Sequence, residues 1–203
     1  FPDADPVRAA KGAAALKFLN AGQACISPNR MYVAESHADA FITTMTERVG
    51  AVRAGNGFAD GVGVGPLVNE AAIAKVEAQV DDAVAKGAAA VVGGHRLDEG
   101  EFAAGHFFAP TLLTGVDDSM AMYREETFGP VAPVITYGDV DEVVELANDT
   151  DYGLAAYVYT RDLSTAIRAF EGLRFGIVGV NDVNPTAASA PFGGMKDSGI
   201  GRE

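Results

Sequence analysis

The chain has 203 residues, of which 48% are apolar and 21% charged, the proportions of a folded globular protein rather than a disordered one. Its net charge of −13 disfavours nucleic acid as a partner, because phosphate binding needs a basic surface, and no apolar run is long enough to cross a membrane. A single cysteine excludes an internal disulfide; with no signal peptide at the start, it points to a reducing, cytoplasmic setting.

In chain order, Asp5 and Pro6 predict a helix start, an acidic cap followed by proline in the first turn, leading into the alanine-rich Ala9–Leu19. A loop follows that holds Cys25. Arg30–Ala34 reads as a short strand, and Ser36 as the cap of a helix over His37–Val52 with Phe41, Met45, Val49 and Val52 on one face. Gly55–Gly65 reads as a glycine-rich connector, because its Gly61-Val62-Gly63-Val64-Gly65 run lacks the preceding strand of a nucleotide fingerprint. Asn69 caps a helix over Glu70–Lys86 that Gly87 stops. Ala88–Val92 is then expected as a short buried strand, the two together forming the repeating half of a parallel sheet. Phe107–Leu113 and Val131–Tyr137 read as further strands, the first peripheral because of Pro110. Asp139 opens a helix over Asp141–Asn148; a strand over Leu154–Thr160, a helix over Leu163–Gly172 and a strand over Gly176–Asn181 complete the pattern. Beyond Asn181 no periodicity remains. This alternation predicts one α/β domain, a mostly parallel sheet with helices on both faces.

Three stretches could carry chemistry. Cys25 sits after Asn20, Ala21 and Gly22 and before Ser27-Pro28-Asn29, outside any apolar run. A thiolate there can attack a carbonyl, and backbone amides of the loop, including that of Cys25, could hold the oxyanion. The other reading is an inert small hydrophobe. His37, His95 and His106 make no recognisable pair with the cysteine and no metal-ligand spacing. The second stretch is Arg124-Glu125-Glu126-Thr127-Phe128-Gly129-Pro130, where a carboxylate could bond ribose hydroxyls and a ring could pack on a heteroaromatic one. Taken alone, the stretch reads better as a solvated acidic turn whose Phe128 plugs the core. The third, Ala190–Glu203, is a shaped loop that wraps a neighbouring element or takes a phosphate on Lys196.

Together these stretches resemble the NAD(P)-dependent aldehyde dehydrogenase superfamily. Phe18-x-x-x-Gly22-Gln23-x-Cys25 is similar to its catalytic-cysteine signature, and Glu125-Glu126-Thr127-Phe128-Gly129-Pro130 to its cofactor-contacting loop. Pro191-Phe192-Gly193-Gly194-Met195-Lys196-x-Ser198-Gly199 is similar to the late loop beside its substrate tunnel. The resemblance implies an aldehyde dehydrogenase catalytic-domain fold in which Cys25 attacks the aldehyde, Glu126 holds the nicotinamide ribose of NAD or NADP, and Phe128 packs near the nicotinamide. Ala24, Ile26, Thr186 and Phe192 are expected around the substrate tunnel. The small-molecule aldehyde is the partner, with no nucleic acid, membrane or metal, and the full-length protein is expected to be a cytoplasmic homo-dimer or homo-tetramer.

The family's cofactor-binding domain, its general-base glutamate and its C-terminal oligomerisation strand are not found in these residues. The resemblance therefore implies that residues 1–203 are the cysteine-bearing catalytic domain and turn over poorly alone. The cysteine motif is closest to the succinate-semialdehyde dehydrogenase group, whose usual arginine after the motif phenylalanine is Leu19 here. Leucine cannot grip a carboxylate in a bidentate way. A cysteine-dependent esterase or thiol hydrolase, and a non-catalytic scaffold, are the alternatives from other classes.

Overall fold

The computed structural model describes residues 1–184 and 186–203. In chain order the helices are α1 (Pro6–Lys17), α2 (Ala38–Gly50), α3 (Glu70–Ala85), α4 (Ala121–Arg124), α5 (Val143–Asn148) and α6 (Leu163–Gly172). The strands are β1 (Met31–Ala34), β2 (Arg53–Ala54), β3 (Val62–Val64), β4 (Ala89–Val92), β5 (Arg96–Leu97), β6 (Phe107–Phe108), β7 (Thr111–Thr114), β8 (Val131–Tyr137), β9 (Tyr152–Gly153), β10 (Ala155–Val158), β11 (Ile177–Val180) and β12 (Met195–Lys196). The chain divides into two compact units, one of Phe1–Ala13, Tyr32–Phe41 and Thr136–Glu203, the other of Ala14–Met31 and Ile42–Ile135.

The second unit is built on β8, β7 and β4, neighbours in that order in one sheet. β7 runs parallel to β8, with Leu112 opposite Ala132, and both strands are buried. Central strands of a sheet covered on both faces read as continuous apolar runs, as these do. β4 pairs antiparallel with β7 and is largely exposed, so the predicted buried parallel strand over Ala88–Val92 is corrected to an edge strand. Only one of its sides finds a partner, and its small alanines cover little. Pro110 does not make Phe107–Leu113 peripheral. It breaks the run into β6 and β7, and β7 lies between two partners. α3 forms as its cap dictates: Asn69 Oδ1 accepts the Ala72 N–H at 2.9 Å, Ile73, Val76, Val80 and Ala83 turn inward at helical spacing, and Gly87 takes a φ of 107° past the end. β3 pairs parallel with β2, so the Val62–Val64 part of the expected connector is a short strand.

In the first unit, Asp5 Oδ1 accepts the Val7 and Arg8 N–H groups at 3.0 and 3.1 Å, which fixes the start of α1. β10 and β11 pair in parallel, and β9 and β12 antiparallel. Asp162 caps α6 by accepting the Thr165 N–H at 2.7 Å. Ala34, Tyr137 and Val143 form a buried cluster, with Phe1, Tyr32 and Leu146 packed against it. Asp3 Oδ2 accepts Thr160 Oγ1, Arg161 N and Asp162 N at 2.7, 2.6 and 2.8 Å, tying the first residues of this unit to the turn between β10 and α6. Burial alone would raise the Asp3 carboxyl, but these hydrogen bonds outweigh it and hold it below its ordinary value. Ser36 is not a helix cap. It lies within a 3-10 turn, Glu35–His37, and its hydroxyl sits 3.4 Å from His37 Nδ1, so α2 starts at Ala38.

Candidate active site

The site in the second unit starts from the end of α1. Phe18 is buried, and the chain then turns through three successive left-handed residues, Asn20 (φ 50°), Ala21 (φ 58°) and Gly22 (φ 74°). Asparagine enters that region readily because its side chain bonds locally: Asn20 Nδ2 donates to Gln23 O at 3.0 Å. Ala21 carries a strain of about 1–2 kcal/mol there, which its burial offsets. Gly22 cannot be replaced, since a Cβ on it would lie 2.0 Å from Gly129 O. The turn to Cys25 therefore packs directly on the Phe128-Gly129-Pro130 stretch.

Two amides fix this turn. Gln23 Oε1 accepts the Val68 N–H at 2.9 Å, and its Nε2 donates to Pro66 O at 3.3 Å. Asn29 Nδ2 donates to Met122 O and Glu125 O, each at 3.2 Å, and its Oδ1 accepts the Thr127 N–H at 2.9 Å. Between these anchors Cys25 is exposed, and its N–H enters no backbone hydrogen bond among the described residues. A thiol so placed can meet a reactant, and the free N–H can face an oxyanion formed on it. Ala24 and Ile26 flank it, each half-buried. The inert-core reading of Cys25 is incompatible with its exposure.

The two acids of the second stretch behave differently. Glu125 Oε2 accepts from Gln79 Nε2 at 3.2 Å, and Gln79 is 3% exposed. Thr127 is fully buried. Glu126, between them, is exposed and free to accept hydrogen bonds, while Phe128 is half-buried at a φ of 50°. Lys17 is the unexpected neighbour: 1% exposed, its ammonium is pushed down to about 8 by desolvation, with the Glu126 charge acting in the opposite direction. Among the described residues no carboxylate lies within ion-pair distance of it.

In the first unit, Thr186, Ala187, Ala188, Pro191, Phe192 and Ile177 line a cavity of about 230 Å³. Thr186 is exposed and Phe192 half-buried. The closing segment is held by paired Phe192 and Glu203 backbone bonds at 2.8 and 2.9 Å and by Arg202 Nη1 donating to Gly194 O at 2.6 Å. The Lys196 ammonium donates to Asn148 O and Thr150 O at 2.9 and 2.7 Å, which commits two of its three N–H groups to the protein's own backbone. The histidines are engaged elsewhere: His37 with Ala4 O, His95 with Gly93 O, and His106 with Glu70. No group of side chains that could hold a metal ion occurs among the described residues.

The aldehyde dehydrogenase family matches the chain over residues 1–203. The chain belongs to the aldehyde dehydrogenase family. It is 49% identical over 202 residues to a non-phosphorylating aspartate-semialdehyde dehydrogenase of Halomonas elongata, covering 100% of this chain and 40% of that protein. It is 46% identical to the NADP-dependent succinate-semialdehyde dehydrogenase of Escherichia coli, covering 100% of this chain and 41% of that one. Among solved structures, succinate-semialdehyde dehydrogenase from Burkholderia pseudomallei superposes with a TM-score of 0.95 at 46% identity, over 100% of this chain and 41% of that chain. Betaine aldehyde dehydrogenase from Staphylococcus aureus, in complex with NAD+, does so with a TM-score of 0.93 at 40% identity, over 99% of this chain and 40% of that one. The chain thus spans about 40% of the length of the curated relatives it matches, and the α/β fold agrees with those of the family's solved members.

Asn29 and Lys17 were not legible as site residues. Asn29 looks like a turn residue after Pro28, and Lys17 like an ordinary cation in the last turn of an alanine-rich helix. Only the packing of the two loops on each other shows what they face.

Proposed function

We propose that this chain carries the nucleophile and part of the cofactor site of an enzyme that oxidises a semialdehyde to a carboxylate with NAD or NADP. The observation that carries this reading is the pairing of an exposed Cys25 with an exposed Glu126 on loops that Asn29 and Gly22 lock together. The residues present fit a dinucleotide. Glu125 is occupied by Gln79, which leaves Glu126 as the carboxylate able to accept the two hydroxyls of a ribose, with Phe128 beside it as the aromatic neighbour.

In this reading the Cys25 thiolate adds to the aldehyde carbon and forms a tetrahedral thiohemiacetal, whose oxyanion the Cys25 N–H stabilises. The dinucleotide, when bound, supplies the hydride acceptor. Cys25 then carries the acyl group as a thioester until water releases the carboxylate and regenerates the thiol. Ala24 and Ile26 flank the nucleophile on the side of the substrate, and for Thr186 and Phe192, which line the cavity of the first unit, a substrate-tunnel role rests on the family resemblance alone. The general base and most of the dinucleotide site come from residues beyond these 203, and the 203 alone oxidise aldehydes inefficiently. The intact protein works as a cytoplasmic homo-dimer or homo-tetramer.

Semialdehyde relatives support the substrate class, while Leu19, 53% exposed, offers no charge for a distal carboxylate. The test is to incubate the intact protein with NAD+ or NADP+ and a panel of aspartate, succinate and uncharged aldehydes. Reduction of either dinucleotide, abolished by Cys25→Ala, supports the proposal. A folded protein that reduces neither with any aldehyde refutes it.

A further inference from the structure

We infer that Asn29 is a positioning residue for cofactor binding: by bonding three backbone groups of the Met122–Thr127 segment, it sets where the Glu126 carboxylate stands relative to the loop of Cys25. The inference rests on the proposed function, and it adds a residue whose side chain touches neither reactant.

A neutral primary amide offers two N–H donors and a carbonyl acceptor, and Asn29 uses all of them on one stretch of chain. Its Nδ2 reaches Met122 O and Glu125 O at 3.2 Å each, and its Oδ1 takes the Thr127 N–H at 2.9 Å. The last two groups belong to the residues on either side of Glu126. One side chain therefore pins the backbone immediately before and immediately after the carboxylate. Gln79 holds the Glu125 side chain and burial holds Thr127, so Glu126 alone in this stretch is left to project outward. Asn29 follows Cys25 by only Ile26, Ser27 and Pro28. Pro28 stiffens that link and Ser27 N–H closes a turn on Ala24 O at 2.9 Å, so the amide is rigidly placed with respect to the thiol.

The chemistry of the contact makes it specific. Asn29→Asp keeps the size of the side chain and the acceptor for Thr127 N–H, but it turns a carboxylate towards two carbonyl oxygens. Asn29→Ser keeps one donor and one acceptor on a shorter arm. A residue that merely fills space would tolerate the isostere better than the truncation.

The test compares Asn29→Asp and Asn29→Ser with the wild type in the intact protein, reading KM for NADP+ and for aldehyde, kcat, NADPH binding by fluorescence titration, and the rate of Cys25 alkylation by iodoacetamide. The expected result for Asn29→Asp is a rise in KM for NADP+ and in the NADPH dissociation constant of about ten-fold or more, the size of one charge-opposed hydrogen-bond set. Alkylation and the aldehyde KM stay within about two-fold, and Asn29→Ser falls between the two. Should Asn29→Asp not fold, Asn29→Ser is read by the same criteria. An unchanged dinucleotide KM, or a parallel loss of alkylation rate, both KM values and melting temperature, overturns the inference. A wild-type protein that binds NADPH but oxidises no aldehyde overturns the proposed function and leaves the Asn29 comparison readable; one that does neither overturns both.

Discussion

The segment around Cys25 and the closing segment from Asn181 to Glu203 solve the same problem of shaping a loop in different ways. In the first, buried or half-buried amides reach across to other loops: Gln23 to Pro66 and Val68, Asn29 to Met122, Glu125 and Thr127. Each bond is between a side chain and a backbone far away in sequence, and Gly22 packs on Gly129 with no room for a methyl group. In the second, the long-range anchors lie at either end, Asn181 on Thr160 and Lys196 and Ser198 on the Asn148–Gly153 stretch, while among the described residues the cavity-lining ones between them bond only within the segment, as Phe192 does to Glu203, and are mostly small and exposed. Long-range clamps fix atoms that must meet to within a fraction of an ångström. A stretch that bonds only within its own segment fixes its own shape and no distant atom. The difference separates a stretch clamped to distant backbone from one whose lining is free to vary.

That separation can be broken in several places. The largest effect is expected from Cys25→Ala in the intact protein, which should lower kcat by at least about a thousand-fold with an unchanged melting temperature; retention of turnover would place the nucleophile elsewhere. Gly22→Ala should follow. Its methyl group would drive into Gly129 O, so a loss of roughly 3 kcal/mol in stability, or a displaced loop with altered Cys25 alkylation, is expected in urea unfolding and iodoacetamide kinetics. By contrast, Ala187→Leu in the cavity should leave stability and alkylation alone and lower kcat/KM by about ten-fold for bulky aldehydes only. If it slowed small and bulky aldehydes alike, the two segments would not be separable.

The smallest effect concerns Lys17 and sharpens the picture of the clamped region. Its folded-state value of about 8 lies below the 10.5 of a solvated lysine, so between these the unfolded chain binds more protons than the folded one. Raising the pH through that window therefore adds stability, and lowering it through 8 removes that contribution. Lys17→Met should abolish this rise and stabilise the fold near neutrality, by on the order of 1–2 kcal/mol in denaturant unfolding. A pH profile unchanged by the substitution would show that the ammonium is not desolvated.

Much of the fold was legible because its signals are local. Asn69 before a periodic run gave α3 to within a residue, Val131–Tyr137 gave β8, and Leu163–Gly172 gave α6. Errors fell where pairing partners decide. The alanine-rich β4 carries no mark that it lies at an edge and runs antiparallel, and Ser36 has the chemistry of a cap but sits inside a tighter turn. The site divided in the same way. Cys25, Glu126 and Phe128 could be picked out from motifs, and the structure leaves the thiol and the carboxylate exposed. The roles of Asn29 and Lys17 depend on residues a hundred positions away, and no spacing rule reaches that far.

The course of the backbone has a practical consequence. It passes between the two units after Ala13, Met31, Phe41 and Ile135, so neither unit is one continuous stretch of sequence. No single proteolytic nick or gene truncation can release either as an unbroken polypeptide. Splitting them would need rewiring of chain order, with new linkers joining three pieces for one and two for the other. A laboratory that swaps substrate loops between relatives should therefore graft residues one at a time into the whole scaffold rather than exchange halves.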